Sequence, residues 1–174
     1  MKLLRNSIFC TICSYTKRLM RLWRARLSTR TLSLLLLSLA AAPAAAEVIN
    51  VDNAELARLM AAGVPVIDIR TEGEWKQTGI VAGSRLLTFF DERGRADPAT
   101  WLARVKPIAA PDRPVVVICR TGNRTGALSE FLDQRVGYKT VYNVKQGIQG
   151  WMREGRPVVP AAPVLAACTP GAAC

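Results

Sequence analysis

The segment from Pro114 to Ile118 constrains the fold of this chain more than any other feature of its sequence. It places three valines and an isoleucine in succession, so both of its faces are apolar. β-Branched residues favour strands, and a strand that is apolar on both faces belongs in the middle of a parallel sheet that helices cover on both sides. The sequence therefore predicts an α/β fold with a central strand that ends at Cys119.

Signals for helices and strands alternate on both sides of this strand, which is typical of an α/β domain. Three helices are predicted to begin after residues with N-capping side chains, two of them with capping-box spacing and one with a following proline. These residues are Asp52, Thr71 and Asp97. Further strands are predicted over 64–69, 85–89 and 139–144, and a further helix over 125–135. The predicted fold is a mainly parallel central β-sheet with helices on both faces.

Composition divides the chain into three parts. Residues 47–157 hold the alternating pattern and form the predicted domain, whereas 158–174 are rich in Pro and Ala and predict a mobile tail. Residues 1–46 begin with basic residues, continue with a leucine-rich stretch and end in an A-x-A cleavage site at Ala44-Ala45-Ala46, as signal peptides do. The basic region is unusually long, and a start at Met20 would give a leader of ordinary length.

The leader predicts export, with a bacterial periplasm as the expected compartment. Its apolar stretch over 32–39 is shorter than the roughly 20 residues that a membrane-spanning helix needs. Cleavage after Ala46 is therefore expected, and an uncleaved leader that anchors the protein in the membrane is the alternative.

The net charge of +11 does not indicate a nucleic-acid-binding protein. The leader holds eight of the 24 basic residues and no acidic one, which leaves 16 basic against 13 acidic residues and a net charge of +3 on the remainder. A nucleic-acid-binding domain would carry its basic excess on the folded part. No nucleic-acid partner is therefore expected.

The chain contains no histidine and five cysteines. The absence of histidine excludes Ser-His-Asp and Cys-His catalysis and most zinc hydrolase sites. Removal of the leader, with Cys10 and Cys13, would leave an odd number of cysteines and hence at least one unpaired thiol. Cys168 and Cys174 would close a small disulfide loop and leave Cys119 as the reactive thiol. Free tail cysteines, or tail cysteines that pair with Cys119 on oxidation, are the open alternatives.

Cys119 lies where a nucleophile can be activated without histidine. It follows the central strand, and ligands in open α/β sheets bind beyond the carboxyl ends of the strands. The next five residues form a loop with Gly122 and two arginines, Arg120 and Arg124, and a helix begins near Thr125. A loop at a helix N-terminus directs backbone N–H groups inward and stabilises a thiolate or the anionic sulfur of a persulfide. A buried structural cysteine is the alternative, and the loop favours a reactive one.

Four segments of the chain carry motifs in a characteristic order. They are 66–75 (Val-Ile-Asp-Ile-Arg followed by Glu-Trp), 79–84 (Gly-Ile-Val-Ala-Gly-Ser), 119–125 (Cys-Arg-Thr-Gly-Asn-Arg-Thr) and 143–151. Together they resemble the signatures of the rhodanese-type, single-domain thiosulfate sulfurtransferase family over nearly all of 48–157. Two positions depart from the family pattern: Ile80 stands where histidine is usual, and Gln146 replaces the first glycine of the last motif.

The resemblance implies a rhodanese-like domain that transfers sulfur by a ping-pong reaction. Cys119 would take a sulfane sulfur from thiosulfate or a persulfide donor and pass it from its own persulfide to cyanide or a thiol. The resemblance assigns substrate binding to Arg120, Thr121, Gly122, Asn123 and Arg124. Asp68 and Arg70 either line the site or form a structural ion pair, and the ion pair is favoured. No metal ion or other cofactor is expected.

Two other classes of function share parts of this pattern. Cysteine-dependent phosphatases and arsenate reductases also combine a cysteine, an anion-binding loop and an arginine, but protein tyrosine phosphatases place five residues between them, whereas four lie between Cys119 and Arg124. A sulfur carrier or binding module for an exported partner protein is the other alternative. The retained cysteine and basic loop favour the enzyme with small-molecule donors and acceptors.

Overall fold

The computed structural model describes residues 47–168, so the predicted leader and Cys174 lie outside the described residues. The strands are β1 (Glu47–Val51), β2 (Val66–Asp68), β3 (Arg85–Leu86), β4 (Val115–Ile118) and β5 (Thr140–Val144). The helices are α1 (Asn53–Ala61), α2 (Glu72–Thr78), α3 (Pro98–Val105), α4 (Asn123–Phe131, continued by a π-helical turn over Leu132–Val136), α5 (Gly147–Arg153) and α6 (Ala162–Ala166). Within 47–168 no helix is long and apolar enough to cross a membrane.

The five strands form one parallel sheet in the order β1-β5-β4-β2-β3, with β4 at its centre. All four residues of β4 are buried. Val115 and Val117 pack in one apolar core with side chains of α3 and α4, whereas Val116 and Ile118 pack in a second core with side chains of α1 and α5. The predicted α/β fold with a central parallel sheet and helices on both faces is confirmed.

The predicted helix starts are confirmed by their capping hydrogen bonds. The Asp52 carboxylate accepts from the Glu55 amide at 2.8 Å, and the Asp97 carboxylate accepts from the Thr100 amide at 3.1 Å. Thr71 and Glu74 form a reciprocal capping box at the start of α2. This box also fixes the position of Glu74, whose carboxylate pairs with Arg124 in the cysteine loop.

Several elements differ from the sequence-based expectation. Strand β1 was not expected, because it is a short edge strand next to the leader that pairs with β5 alone. The predicted strand over 85–89 is paired as a strand only over Arg85–Leu86, and α4 begins at Asn123, two residues before the expected start. Helix α5 lies over Gly147–Arg153, in a motif for which the sequence predicts no helix.

The segment Val158–Cys168 packs against the domain, in contrast to the mobile tail expected there. Ile80 and Val159 exchange two backbone hydrogen bonds of 2.9 Å. Ala161 is 2% exposed and packs against Trp75, Ile80 and Leu86. The Pro/Ala-rich composition of this segment predicts too little apolar area for packing against the domain. The small Ala161 side chain nevertheless fits against the apolar surface that Ile80, in place of the family's histidine, helps to form.

Candidate active site

The loop after β4 holds Cys119 at the carboxyl end of the central strand, directly before α4. The Cys119 side chain is fully buried. The Gly122 amide donates a hydrogen bond to Cys119 Sγ at 3.2 Å, and Thr125 Oγ1 lies 3.4 Å from the same sulfur. The loop therefore curls around the sulfur and presents a backbone N–H group to it, as the sequence predicts.

Thr125 is a sulfur contact that the sequence places at the end of the motif 119–125 and near the start of a helix, but not among the predicted site residues. Its side chain is fully buried, and its hydroxyl donates to the Gly122 carbonyl at 3.0 Å. A threonine hydroxyl has one proton, so it can donate either to this carbonyl or to an anionic sulfur. Its position directly after the loop was the available signal, because the first turn of α4 faces the cysteine.

Arg124 is held by a carboxylate from a distant part of the chain. Its Nη1 and Nη2 atoms donate to the two carboxylate oxygens of Glu74 at 2.9 and 2.6 Å. Burial would raise the pKa of Glu74, but hydrogen bonds from Arg124 and from the Thr71 amide outweigh burial and hold that pKa below its usual value. The hydrogen bonds to Glu74 raise the pKa of Arg124, with a smaller contribution from the Cys119 side chain. Arg124 is thus a fixed cation beside the sulfur, oriented by α2.

The other predicted site residues lie around the entrance to the loop. Arg120, Thr121 and Asn123 are exposed. Arg120 makes no side-chain hydrogen bond or ion pair with the described residues. Together with Thr121 and Arg124 it lines a cavity of about 660 Å³ above the cysteine loop. The structure therefore brings Arg120, Thr121 and Arg124 to one opening, which Asn123 does not line, and Arg120 is the loop arginine that is free to contact a ligand.

Asp68 and Arg70 lie beneath this region rather than in the cavity. They are 0% and 1% exposed, respectively, and they form a buried ion pair with Nη2 of Arg70 2.6 Å from Oδ2 of Asp68. Arg70 also donates to the Thr78 hydroxyl at 2.6 Å and to the Gly79 carbonyl at 2.9 Å. The pair joins β2 to the end of α2, which is the structural role that the sequence favoured.

Residues of the last motif, 143–151, donate hydrogen bonds to the backbone of the cysteine loop. The amides of Ile148 and Gln149 donate to the carbonyls of Cys119 and Arg120 at 2.8 and 3.1 Å. A Cβ atom on Gly147 would lie 2.4 Å from the Cys119 carbonyl oxygen, so the two backbones meet here without room for a side chain. The N-terminal turn of α5 thus holds the backbone of the loop in place.

Gly122 is required by both backbone conformation and space, and this leads to a first prediction. Its φ angle is 93°, and a Cβ atom there would lie 2.2 Å from the Lys145 carbonyl oxygen. Gly83 has a similar φ angle of 79° but no atom within 4 Å of its added Cβ. Gly122→Ala is therefore expected to lower the free energy of unfolding by about 1–3 kcal/mol more than Gly83→Ala, because only the first change adds a clash to the strain.

Urea unfolding of both variants measures this difference, and sulfur transfer is assayed in parallel. Gly122→Ala is expected to lose activity because the Gly122 amide that contacts Cys119 Sγ must move, whereas Gly83→Ala is expected to keep it. Equal stability losses and equal activities would show that the close approach of Gly122 to Lys145 does not shape the loop.

The remaining cysteine of the described part of the chain does not compete with Cys119. Cys168 is disulfide-bonded, and Cys119 is the free cysteine of residues 47–168. Cys174 lies outside the described residues, so its pairing with Cys168 stays a prediction. Cys119 is therefore the available thiol nucleophile within the described domain.

Comparison with known proteins gives consistent matches. The rhodanese-like domain model matches residues 52–154. Thiosulfate sulfurtransferase 18 of Arabidopsis thaliana is 26% identical over 126 residues, which cover 70% of this chain and 90% of the relative. A sulfurtransferase of Allochromatium vinosum is 44% identical over 48 residues, which cover 28% of this chain and 44% of the relative. The polysulfide-sulfur transferase homodimer of Wolinella succinogenes has the same fold, with a TM-score of 0.50, 24% identity and coverage of 67% of this chain and 81% of that chain.

Proposed function

Because this chain belongs to the rhodanese-like domain family, we propose that it is a sulfurtransferase that works through a persulfide on Cys119. The donor is thiosulfate or a persulfide, and the acceptor is cyanide or a thiol. The observation that carries the proposal is the free cysteine at the head of a loop whose Gly122 amide donates to its sulfur at 3.2 Å.

The surroundings of Cys119 support an anionic sulfur in both states of the reaction. The Gly122 amide and the N-terminus of α4 place partial positive charge near the sulfur, and the guanidinium of Arg124, although paired with Glu74, also interacts electrostatically with Cys119. Thr125 can turn its hydroxyl proton from the Gly122 carbonyl to the sulfur when that sulfur is charged. Because these groups are positioned before the reaction, they need little reorganisation when charge shifts from the thiolate to the persulfide.

The proposed chemistry balances with thiosulfate and cyanide. The Cys119 thiolate attacks the outer sulfur of thiosulfate, an S–S bond forms, the S–S bond of thiosulfate breaks, and sulfite leaves with the electron pair. Cyanide then attacks the outer sulfur of the persulfide, thiocyanate leaves, and the thiolate is regenerated. Neither step needs a histidine base or a net transfer of protons, which agrees with the absence of histidine from the sequence.

Export to an oxidising compartment is part of the proposal. It rests on the signal-peptide pattern of 1–46. An exported protein thiol is then a further candidate acceptor. Mass spectrometry of the N-terminus of protein recovered from the periplasm tests this part: a chain that begins at Glu47 supports cleavage, and a retained leader contradicts it.

The proposed reaction is tested by intact mass spectrometry of the reduced protein after a short incubation with thiosulfate. The intact mass is expected to rise by one sulfur atom, and peptide mass spectrometry is expected to assign that sulfur to the peptide that contains Cys119. Addition of cyanide is expected to remove that sulfur and to release an equal amount of thiocyanate. No sulfur gain with thiosulfate or with a persulfide donor would overturn the proposal and would direct the assay to aryl phosphates.

A further inference from the structure

The cavity above the cysteine loop is not a uniformly cationic site. Besides Arg120 and Arg124 it is lined by three carboxylates, Glu74, Asp91 and Glu92. A site built for a dianion would be expected to present an excess of positive charge. The balance of free charges in this cavity therefore bears on which sulfur donor it selects.

Most of these charges are already paired. Glu74 and Arg124 neutralise each other, with oxygen and nitrogen atoms 2.6 Å apart. Asp91 accepts hydrogen bonds from the backbone amides of Arg93 and Arg95, and it pairs with the Arg95 guanidinium at 2.8 Å. These pairs present little net charge to an incoming donor.

Two unpaired charges of opposite sign are left at the opening. Glu92 and Arg120 are both exposed, and neither forms an ion pair or side-chain hydrogen bond within residues 47–168. Arg120 attracts an anionic donor, whereas Glu92 repels it. The two effects oppose each other on the same approach path because both side chains line the same cavity.

We propose that Glu92 is a specificity-determining residue that lowers the reactivity of this site with dianionic thiosulfate relative to monoanionic sulfane-sulfur donors such as alkyl thiosulfonates. The inference rests on the proposed sulfur transfer through Cys119. A thiosulfonate reacts in the same way as thiosulfate: the Cys119 thiolate forms an S–S bond with its terminal sulfur, the bond between the two donor sulfurs breaks, and a sulfinate leaves with the electron pair. The leaving sulfinate carries one negative charge where sulfite carries two.

The repulsion between Glu92 and a donor can be compared quantitatively for the two donors. The interaction energy between Glu92 and a donor is proportional to the donor charge, so the repulsion of a dianion is twice that of a monoanion. The factor by which removal of the Glu92 charge accelerates the dianion is then the square of the factor for the monoanion. A change in cavity shape or fold would not produce this relation.

The test uses the full chain with Glu92→Gln, and kcat/KM is measured at low ionic strength with thiosulfate and with methanethiosulfonate. For charges about 10 Å apart in water-like surroundings, we expect a rise of about fourfold with thiosulfate and about twofold with methanethiosulfonate. Arg120→Gln is expected to lower kcat/KM with both donors. The logarithm of the decrease with thiosulfate should be twice that with methanethiosulfonate. Added salt is expected to shrink all of these differences.

Glu130→Gln is the matched control, because Glu130 is an exposed carboxylate that does not line the cavity. It is expected to leave the ratio of the two donors unchanged. If Glu92→Gln leaves that ratio at the wild-type value while both donors are turned over, Glu92 does not set donor charge and the inference is overturned. If wild-type protein takes no sulfur from either donor but takes sulfur from a persulfide, the inference fails and the proposed function stands; if the persulfide fails as well, both fail.

Discussion

Replacing Cys119 with serine is expected to lower thiocyanate production from thiosulfate and cyanide by at least about a thousandfold. A serine hydroxyl is not ionised near neutral pH and cannot form the persulfide on which the proposed reaction depends. The substitution is nearly isosteric, and the Gly122 amide and Thr125 hydroxyl that contact the sulfur can contact the smaller oxygen. The expected loss is therefore chemical rather than structural.

Steady-state thiocyanate formation and intact mass after exposure to thiosulfate measure this effect together. The variant is expected to gain no sulfur and to unfold in urea at nearly the same concentration as the wild type, which separates loss of the nucleophile from loss of the fold. Thiocyanate formation at the wild-type rate by Cys119→Ser would place the reacting thiol elsewhere in the chain and contradict the proposed mechanism.

The parts of the structure that were predictable from the sequence are those set by neighbouring residues. The buried strand β4 follows from consecutive β-branched residues, and the starts of α1, α2 and α3 follow from capping side chains three residues away from the amides they bind. The loop at Cys119 follows from the same local logic, because strand, glycine and helix are contiguous. Local spacing therefore predicts the position of Cys119 and of the backbone around it.

The parts that were not predictable depend on contacts between distant residues. Glu74 and Arg124 lie fifty positions apart, so the sequence assigned Arg124 to substrate binding without indicating that a carboxylate already holds it. The packing of Val158–Cys168 depends on a bridge from Val159 to Ile80. Edge strand β1 depends on pairing with β5, which lies far later in the sequence. In each case the partner is identified only once the sheet has brought the two segments together.

Arg70→Met is expected to have the largest effect on stability, with a loss of about 3–5 kcal/mol in the free energy of unfolding. The Asp68 carboxylate is fully buried and accepts hydrogen bonds from Arg70 Nε and Nη2 at 2.6–3.0 Å. Removal of the Arg70 side chain would leave this charge in the interior without a cationic partner, with a hydrogen bond from the backbone amide of residue 70 at 3.2 Å. Lys76→Met, which breaks the exposed ion pair to Glu72, is the control and is expected to change stability by less than about 1 kcal/mol.

The double variant Asp68→Leu/Arg70→Met separates the cost of an unpaired charge from the value of the pair. Replacing both partners with apolar side chains removes the buried charge, so the double variant is expected to be more stable than Arg70→Met alone. Recovery should be partial, because Thr78 and Gly79 lose their donor and the Arg70 amide loses its Asp68 acceptor. Urea unfolding of the two single variants and the double variant completes the cycle. A double variant that loses as much stability as the two single variants together would show no coupling between the two side chains, so that each stabilises the fold independently of the other.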